Sequence, residues 1–256
     1  MDPATLIGFA ISLGALLFFM VLEGADPMSL LFLPAIVLVI FATFGAAMSS
    51  FTMTDLKKMP TWFKMGVLPA KVSAASDQIA TLVSLAEKAR KEGLLALEAQ
   101  VKNIEDPFLK RGLQMGIDGT DPEELRGVLE GEIAAKKGED KVAAKFFNQM
   151  GGYAPTIGIV GCIVGLINVM GNLSDPAALG PMIAAAFVAT LWGVMAANFW
   201  FLPMGAKILR VSELQAAQME LLVEGITEIQ AGTSPRAVRQ KLTSMVPPGE
   251  VAREAA

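Results

Sequence analysis

The sequence predicts an all-α membrane protein with four bilayer-spanning helices and a large helical cytoplasmic domain. Four stretches contain no Asp, Glu, Lys or Arg: Pro3–Leu22, Pro27–Thr54, Phe146–Ser174 and Pro176–Ala206. Each is long enough for a membrane helix, which needs about 20 apolar residues. All 21 Lys and Arg lie either in residues 55–145 or in the tail after residue 206. This separation of charge from apolar sequence predicts the fold class.

The composition excludes several classes of function. Hydrophobic residues make up 53% of the chain and charged residues only 18%, whereas soluble domains carry about 25% charged residues. The chain contains no His, which excludes histidine metal sites and imidazole acid–base catalysis. The only cysteine, Cys162, lies in an apolar stretch, so an intrachain disulfide is excluded. We therefore expect no metal, no cofactor, no enzymatic activity and, at a net charge of −4, no nucleic-acid partner.

The distribution of basic residues predicts the orientation in the membrane. The connections Glu23–Asp26 and Gly171–Pro181 contain no Lys or Arg, whereas basic residues flank the other ends of the spans. Lys and Arg close to span ends are retained in the cytoplasm. Four spans then place both termini in the cytoplasm. Span one lacks a basic leader and a clear cleavage site, so we expect it to be a retained membrane span and not a signal peptide.

The charge pattern also predicts the domain organisation. Residues 1–54 hold spans one and two, residues 55–145 form a cytoplasmic helical domain, residues 146–206 hold spans three and four, and residues 207–256 form cytoplasmic C-terminal helices. The second part carries 15 basic and 15 acidic residues. At its start, Phe51–Leu68 mixes aromatic and apolar residues with three Lys, which predicts a helix lying in the membrane interface.

Capping residues mark the helices of the cytoplasmic domain. Ser76 or Asp77 is the predicted N-cap of a first helix, and Gly93 is expected to end it. The pair Asp106-Pro107 predicts a second start, because Pro at the first helical position loses no hydrogen bond. The pair Asp121-Pro122 predicts a third, with Glu124 as a capping-box partner.

Two of the spans are expected to continue into the charged parts of the chain. The helix that starts at Pro122 is predicted to run into span three, and span four is predicted to continue to Gly232. The pair Ser234-Pro235 predicts one last short helix. We find no strand pattern and no internal repeat in the sequence.

Small residues recur every three or four positions in spans three and four. In span three they are Gly151, Ala154, Gly158, Gly161 and Gly165, and in span four they are Ala186, Thr190, Gly193 and Ala197. Such stripes let helices approach closely in lipid. They could pack against each other within the chain or receive the helix of a partner. Two stripes on successive spans favour the partner.

Two prolines and the threonine of these spans have further candidate roles. Pro155 removes the hydrogen bond that its amide would give to the Gly151 carbonyl, so that carbonyl is either part of a simple kink or functional. Pro203, at the inner end of span four, is likewise either part of a simple kink or functional. Thr190 is the main polar side chain of span four, and we expect its hydroxyl to bond to its own helix.

The chain resembles the A-subunit of the flagellar motor stator, the MotA/PomA family, over essentially its whole length. Four segments carry the resemblance: Ala89-Arg90-Lys91-Glu92-Gly93-Leu94-Leu95-Ala96-Leu97-Glu98; Gly116-Ile117-Asp118-Gly119; Ala154-Pro155-Thr156-Ile157-Gly158-Ile159-Val160-Gly161; and Thr190-Leu191-Trp192-Gly193 leading to Phe201-Leu202-Pro203. The first and third are the most specific, especially in this order on a four-span frame. Two features depart from the family pattern, since Cys162 replaces the usual Thr or Ala and Pro34 interrupts span two.

The resemblance implies a mechanism and its residues. It implies that Arg90 and Glu98, with the neighbouring Lys91, contact the switch protein of the rotor. It implies that Pro155 and Pro203 couple ion passage to motion, and that Thr190 lies near the ion path. It also implies five A-subunits around two single-span B-subunits, each with an Asp in its membrane helix that carries the ion.

The residues of the spans support the same mechanism independently. An ion path through lipid needs ionisable or strongly polar groups, and the four stretches contain no ionisable residue able to carry a proton at neutral pH. A partner must therefore supply the carboxylate. At Cys162 a thiol, which is a poor ligand for a hard cation, stands where sodium-type relatives have a hydroxyl. We therefore favour protons over sodium as the transported ion.

Two other classes of function compete with this interpretation. The first is an energising subunit of a transport complex like the ExbB/TolQ family, but those proteins typically have three spans. The second is a stand-alone channel or an enzyme. The spans lack the intramembrane charge that a channel would use, and the sequence lacks a phosphate-binding Gly-rich loop and a recognisable nucleophile.

Overall fold

The protein is helical throughout the part of the chain that its computed structural model describes, residues 2–69 and 72–247. The α-helices are α1 (Pro3–Leu22), α2 (Leu33–Met48), α3 (Met53–Leu56), α4 (Met59–Val67), α5 (Ala75–Glu92), α6 (Glu98–Val101), α7 (Pro107–Ile117), α8 (Pro122–Gly171), α9 (Pro176–Met195), α10 (Leu202–Gln230) and α11 (Pro235–Ser244). Two 3₁₀ turns (Pro27–Leu30 and Leu94–Leu97) and one π-helical turn (Ala196–Phe201) complete the described elements, which include no strand. The all-α prediction is confirmed.

The described residues contain four helical segments that are long and apolar enough to cross a membrane. They are Pro3–Leu22, Pro27–Met48, Pro122–Gly171 and Pro176–Gln230. The last two continue well beyond the apolar stretches, as predicted, and the fourth ends two residues before Gly232. The four-span prediction is therefore confirmed.

The chain divides into two compact units. We call the first the membrane unit, formed by Met1–Ala70 and Asp140–Arg210, and the second the charged unit, formed by Lys71–Glu139 and Val211–Ala256. Where the bilayer begins and ends along the chain stays a prediction. Residues 248–256 of the predicted C-terminal part lie outside the described residues.

Span two is interrupted near its start, as predicted, and its other end differs from its predicted form. The helix breaks at Leu31 and Phe32, just before Pro34, and α2 begins at Leu33, so that Pro34 occupies its first turn, where its missing amide hydrogen is not needed. The helix ends at Met48, and the predicted interface helix Phe51–Leu68 is two short helices, α3 and α4. A reciprocal capping box between Thr52 and Asp55 starts α3.

Most helix starts of the charged unit follow the prediction. The Asp106 carboxylate accepts hydrogen bonds from the amides of Phe108 and Leu109 at the start of α7. The Asp121 carboxylate accepts from Glu123 and Glu124 at the start of α8, and Ser234 caps α11.

The predicted N-cap of α5 was wrong. The helix starts at Ala75, so Ser76 and Asp77 lie within its first turn. The N-cap is Ala74, whose side chain makes no capping hydrogen bond. Asp77 there places a negative charge beside the positive end of the helix dipole, which stabilises the helix without a cap.

An aromatic cluster forms the centre of the membrane unit. Phe146, which is fully buried at the start of the apolar part of α8, lies edge-on or tilted against rings from α2 and α4 and from the intervening connection: Phe44, Phe51, Trp62 and Phe63. Offset and edge-on aromatic pairs each contribute about 0.5–1.5 kcal/mol beyond the burial of their surface. This cluster holds the short helices after span two against span three.

The chain start is attached to the inner end of span four. The Asp2 carboxylate lies 3.1 Å from the Lys207 ammonium, which also donates to the Thr5 hydroxyl at 2.9 Å. The Asp2 amide donates to the Val67 carbonyl at 3.2 Å. These contacts place span one beside the segment that follows Pro203.

The charged unit has its own apolar core. Buried residues of α5, α7, α8, α10 and α11 form it, with Leu82, Leu125, Leu129, Leu222 and Leu242 among the most buried. Gly112 and Gly225 let helices approach here, because a Cβ on either would press against Ile226 or Leu82. The unit can therefore hold its surface residues in fixed positions.

Candidate functional site

Spans three and four touch backbone to backbone at two glycines. A Cβ on Gly158 would lie 2.8 Å from the Ala189 carbonyl oxygen and 3.1 Å from the Thr190 Cα. A Cβ on Gly193 would lie 2.5 Å from the Ala154 carbonyl oxygen. Since these neighbours are backbone atoms, they cannot move aside as a flexible side chain would. Only glycine permits this approach.

The other small residues of span three line further contacts within the same chain. Gly165 faces Ala186, Gly161 faces Ala189 and Leu38 of span two, and Gly151 faces Leu202. Ala154, Ala186 and Ala197 are buried. The two stripes therefore pack against each other within the chain, which is the first of the two alternatives. Docking of a partner helix on these residues stays a prediction.

The Thr190 hydroxyl bonds across this contact. Its Oγ1 donates to the Gly158 carbonyl oxygen at 3.4 Å, so the expectation of a bond to its own helix was wrong. The reason is the close approach itself, which brings the carbonyl of span three within reach of span four. Thr190 and Gly158 thus place a hydroxyl and a carbonyl together inside an otherwise apolar helix pair.

Both candidate prolines lie beside irregular or closely packed backbone. Pro155 is inside α8, next to Ala154, whose carbonyl abuts Gly193. Pro203 follows the π-helical turn Ala196–Phe201, in which the Leu202 amide donates to the Ala197 carbonyl. π-Helical turns are rare in proteins as a whole, and those that occur are often found at functional sites. No pattern in the sequence predicted this turn.

Cys162 and Asn198 are two further polar groups of spans three and four. Cys162 has a free, half-buried thiol one turn beyond Gly158. Asn198 lies on the exposed side of the π-helical turn, and its amide donates to the Val194 carbonyl at 2.8 Å. Asn198 was not among the residues predicted from sequence, although a lone Asn in an apolar span is a recognisable signal.

A groove of about 680 Å³ lies between spans two, three and four of the membrane unit. Its lining is apolar, for example Leu38, Val164 and Met182, and among the described lining residues Asn168 has the one polar side chain. These lining residues include no ionisable group, so they offer no carrier for a proton. The described residues also contain no cluster of acidic or Cys side chains that could hold a metal.

The three predicted rotor-contact residues lie on the surface of the charged unit. Arg90 and Lys91 occupy the last turn of α5, and Glu98 begins α6. All three are exposed. Glu98 lies 3.9 Å from Lys102, but both side chains are more than half exposed, and such a pair contributes only about 0.2–1 kcal/mol. Glu98 can therefore exchange this partner for another.

Comparison with known proteins identifies the family. The profile of the MotA/TolQ/ExbB proton channel family matches residues 100–221. Motility protein A of Bacillus subtilis (strain 168) is 35% identical over 247 residues, which cover 96% of this chain and 92% of that protein. This chain belongs to the motility protein A family. Motility protein A of Helicobacter pylori (strain 26695) is 33% identical over 250 residues, which cover 98% of this chain and 97% of that protein.

Two solved structures are similar over the same length. The C. jejuni MotAB structure matches with a TM-score of 0.93 at 29% identity and covers 97% of both chains. The flagellar MotAB stator complex of Bacillus subtilis matches with a TM-score of 0.91 at 33% identity and covers 98% of both chains. With its four apolar helices, the chain is a protein of the bacterial inner membrane, and its relatives are motility proteins and not enzymes.

Proposed function

We propose that this chain is the A-subunit of a flagellar stator, which forms an ion channel with a B-subunit and converts ion flow into torque on the rotor. The observation that carries the proposal is the full-length similarity, at TM-scores of 0.93 and 0.91, to chains from MotAB stator structures. The similarity extends through the four spans and the charged unit. The runner-up, an energising subunit of the ExbB/TolQ type, does not account for the four spans or for the Arg90–Glu98 segment.

The ion-carrying group belongs to the partner in this proposal. The apolar stretches contain no Asp, Glu, Lys or Arg, and ion transfer through lipid requires such a group. A single-span B-subunit with an intramembrane Asp would supply it. Five A-subunits around two B-subunits is the arrangement that the family resemblance favours.

The contact of spans three and four is the proposed place of coupling. Thr190 and the Gly158 carbonyl offer polar atoms there, and Pro155 frees the Gly151 carbonyl from its helical bond. Pro203 and the π-helical turn provide the second irregular backbone segment. A change in the charge of the partner carboxylate beside these segments would favour one of two backbone arrangements.

The charged unit would transmit this change to the rotor switch protein through Arg90, Lys91 and Glu98. Their exposure leaves them available for oppositely charged groups. This requires the charged unit and both termini to lie in the cytoplasm, as the distribution of Lys and Arg predicts.

Protons are the proposed ion, and sodium is the alternative. The family profile is described as that of a proton channel family. Sodium prefers several hard oxygen ligands, as hard cations do, and Cys162 offers a thiol instead. The Thr190 hydroxyl and nearby carbonyls are the groups that a sodium site would use.

Complementation of a motile host without its own stator tests the function. Co-expression of this chain with a B-subunit that carries a membrane Asp should restore swimming, and either subunit alone should not. Liposomes with the purified chain alone should not conduct ions. Conductance without the B-subunit, or no swimming with it, would contradict the proposal.

The same host distinguishes the ions. Motor speed should not depend on external sodium at constant proton-motive force. Cys162→Thr is the companion variant, since sodium dependence gained by that variant would show that the position sets the choice. Speed of the unaltered protein that collapses without sodium would identify sodium instead.

A further inference from the structure

Leu95 is the most exposed large hydrophobic side chain in the described part of the chain. It is 74% exposed, against 47% for Val128 and Met245 in the same unit. Its neighbours in the same 3₁₀ turn point the other way, since Leu97 is fully buried and Leu94 packs against the core. The core of the charged unit therefore does not explain a leucine at position 95.

The turn presents Leu95 on a fixed support. Gly93 ends α5 with φ +82° and ψ 163°, a conformation that is essentially restricted to glycine. The turn Leu94–Leu97 then packs on α5 and α7, and Leu97 anchors it in the core. Because its contacts with the core fix the turn, Leu95 can bind a partner without first being ordered, which lowers the entropic cost of binding.

Exposed charges stand on both sides of Leu95 in the chain. Arg90 and Lys91, followed by Glu92, precede it, and Glu98 follows it. The contact between Glu98 and Lys102 is itself exposed to solvent. A partner surface that complements these residues has an apolar pocket, acidic groups for Arg90 and Lys91, and basic groups for Glu92 and Glu98.

We infer that Leu95 is the apolar anchor of the rotor contact and that it inserts into such a pocket on the rotor switch protein. The inference rests on the proposed function and adds a residue and a partner chemistry to it. The flanking charges orient the approach, and the leucine supplies affinity that salt does not screen. Burial of a leucine side chain on binding corresponds to about a tenfold or larger change in Kd.

The test is binding of the detergent-solubilised stator complex to the purified rotor switch protein over a range of salt concentrations. Leu95→Gln should weaken binding about tenfold at low and at high salt, and Leu95→Met should retain most of the affinity. Arg90→Glu should weaken binding mainly at low salt, because screening removes its effect. Val128→Thr is the matched control, an exposed apolar residue elsewhere in the charged unit, and should bind normally.

A cross-linking measurement avoids any effect of Leu95→Gln on folding. Leu95→Cys, labelled with a thiol-reactive photocrosslinker, should attach to the switch protein in cells, and the unaltered protein, whose one thiol is Cys162, is the labelling control. Absence of that cross-link, or unchanged affinity of Leu95→Gln beside a weakened Arg90→Glu, would overturn the inference and leave the proposed function intact. Absence of any binding by the unaltered complex would overturn both.

Discussion

At Gly158 the backbones of spans three and four come so close that a methyl group has no room. A methyl group there would meet the Ala189 carbonyl oxygen and the Cα atoms of Thr190 and Gly193. The same approach creates the hydrogen bond from Thr190 to the Gly158 carbonyl. Gly158 therefore contributes both to the close distance between the spans and to the position of the Thr190 hydroxyl.

Gly158→Ala should separate the two spans and lower the free energy of unfolding by about 1–3 kcal/mol, the usual cost of overpacking. Gly152→Ala is the matched control, because a Cβ at Gly152 meets nothing within 4 Å and alanine is the better helix former. Thermal unfolding of the detergent-solubilised protein measures the difference. Equal unfolding temperatures for the two variants would contradict the close contact.

Charge reversal of Arg90 or Glu98 should reduce motility without reducing the amount of protein in the membrane. Both side chains are exposed, so Arg90→Glu and Glu98→Lys remove no packing. A compensating reversal on the rotor switch protein should restore part of the motility. Exposed pairs contribute only about 0.2–1 kcal/mol each, so neutral substitutions should have smaller effects than reversals.

The controls for these reversals are Arg239→Glu and Glu105→Lys, which change exposed charges elsewhere in the charged unit. Both should swim normally. The contact hypothesis fails if the control reversals slow swimming as much as those at Arg90 and Glu98.

The sequence predicts the environment of some single residues and not of others. The exposure of Arg90 and Glu98 could be predicted, because a charge cluster next to a helix-ending glycine lies on the surface. The bond of Thr190 could not, because it depends on the spacing of two helices and not on local sequence. The break of span two before Pro34 could be predicted, because Pro cannot continue a helix that precedes it but can start one.

At the scale of elements, α11 is attached to the rest of the charged unit by a small ion-pair network. Lys241 of α11 pairs with Glu224 and Glu228 of α10, and Arg126 of α8 also binds Glu224. Beneath this network, Val238 and Leu242 are fully buried. Polar and apolar contacts thus hold the same short helix.

The network makes the attachment of α11 dependent on pH. Burial alone would raise the pKa of Glu224, but hydrogen bonds from Lys241 and Arg126 outweigh it, so the pKa is lowered. The hydrogen bond from Lys241, followed by that from Thr233, lowers the pKa of Glu228. Because both carboxyls have lowered pKa values in the fold, their stabilisation is present above the unfolded value of about 4.3 and is lost as the pH falls through the folded values.

Hydrogen exchange of α11 should therefore be constant from neutral pH to about pH 5, after correction for the intrinsic rate, and should increase below about pH 4.3. Lys241→Gln should remove most of this acid dependence, because the carboxyls lose their shared partner. Arg239→Gln, an exposed neighbour on the same helix, should leave it unchanged. An acid response that persists in Lys241→Gln would assign it to other groups.

Most helices of this protein could be predicted from sequence, and the exceptions have physical reasons. Asp106, Asp121 and Ser234 mark their helix starts because a short polar side chain bonds free amides there. The N-cap of α5, Ala74, makes no such bond, so the predicted N-cap, Ser76 or Asp77, lies too far along the chain. The π-helical turn escaped prediction because its hydrogen bonds leave no mark on the periodicity of apolar residues.

At the scale of the whole molecule, the separation of charged from apolar sequence predicted the four spans. It could not predict which small-residue face packs within the chain, because helices of one chain and of two chains need the same spacing. The structure shows packing within the chain through contacts between residues far apart in sequence, such as Gly193 with Ala154.

The orientation of the molecule is a prediction at this scale. Reporter fusions in Glu23–Asp26 and Gly171–Pro181, which contain no Lys or Arg, should behave as exported. Fusions after Lys64 or Arg210 should behave as cytoplasmic. A cytoplasmic signal from either of the first two loops would be incompatible with this orientation.

The π-helical turn has a consequence for chain length. It accommodates one residue more than an α-helix would over the same rise. The helix therefore keeps its angular register on both sides of the turn, with Gly193 facing Ala154 before it and Lys207 facing Asp2 after it. Deletion of Asn198 should convert the turn to an ordinary helix and preserve both contacts. Deletion of Phe187, within α9, should rotate everything beyond it by about 100° and abolish accumulation in the membrane, as immunoblotting would measure. Insertions and deletions between related proteins should therefore be tolerated at this turn and excluded from the straight part of the span.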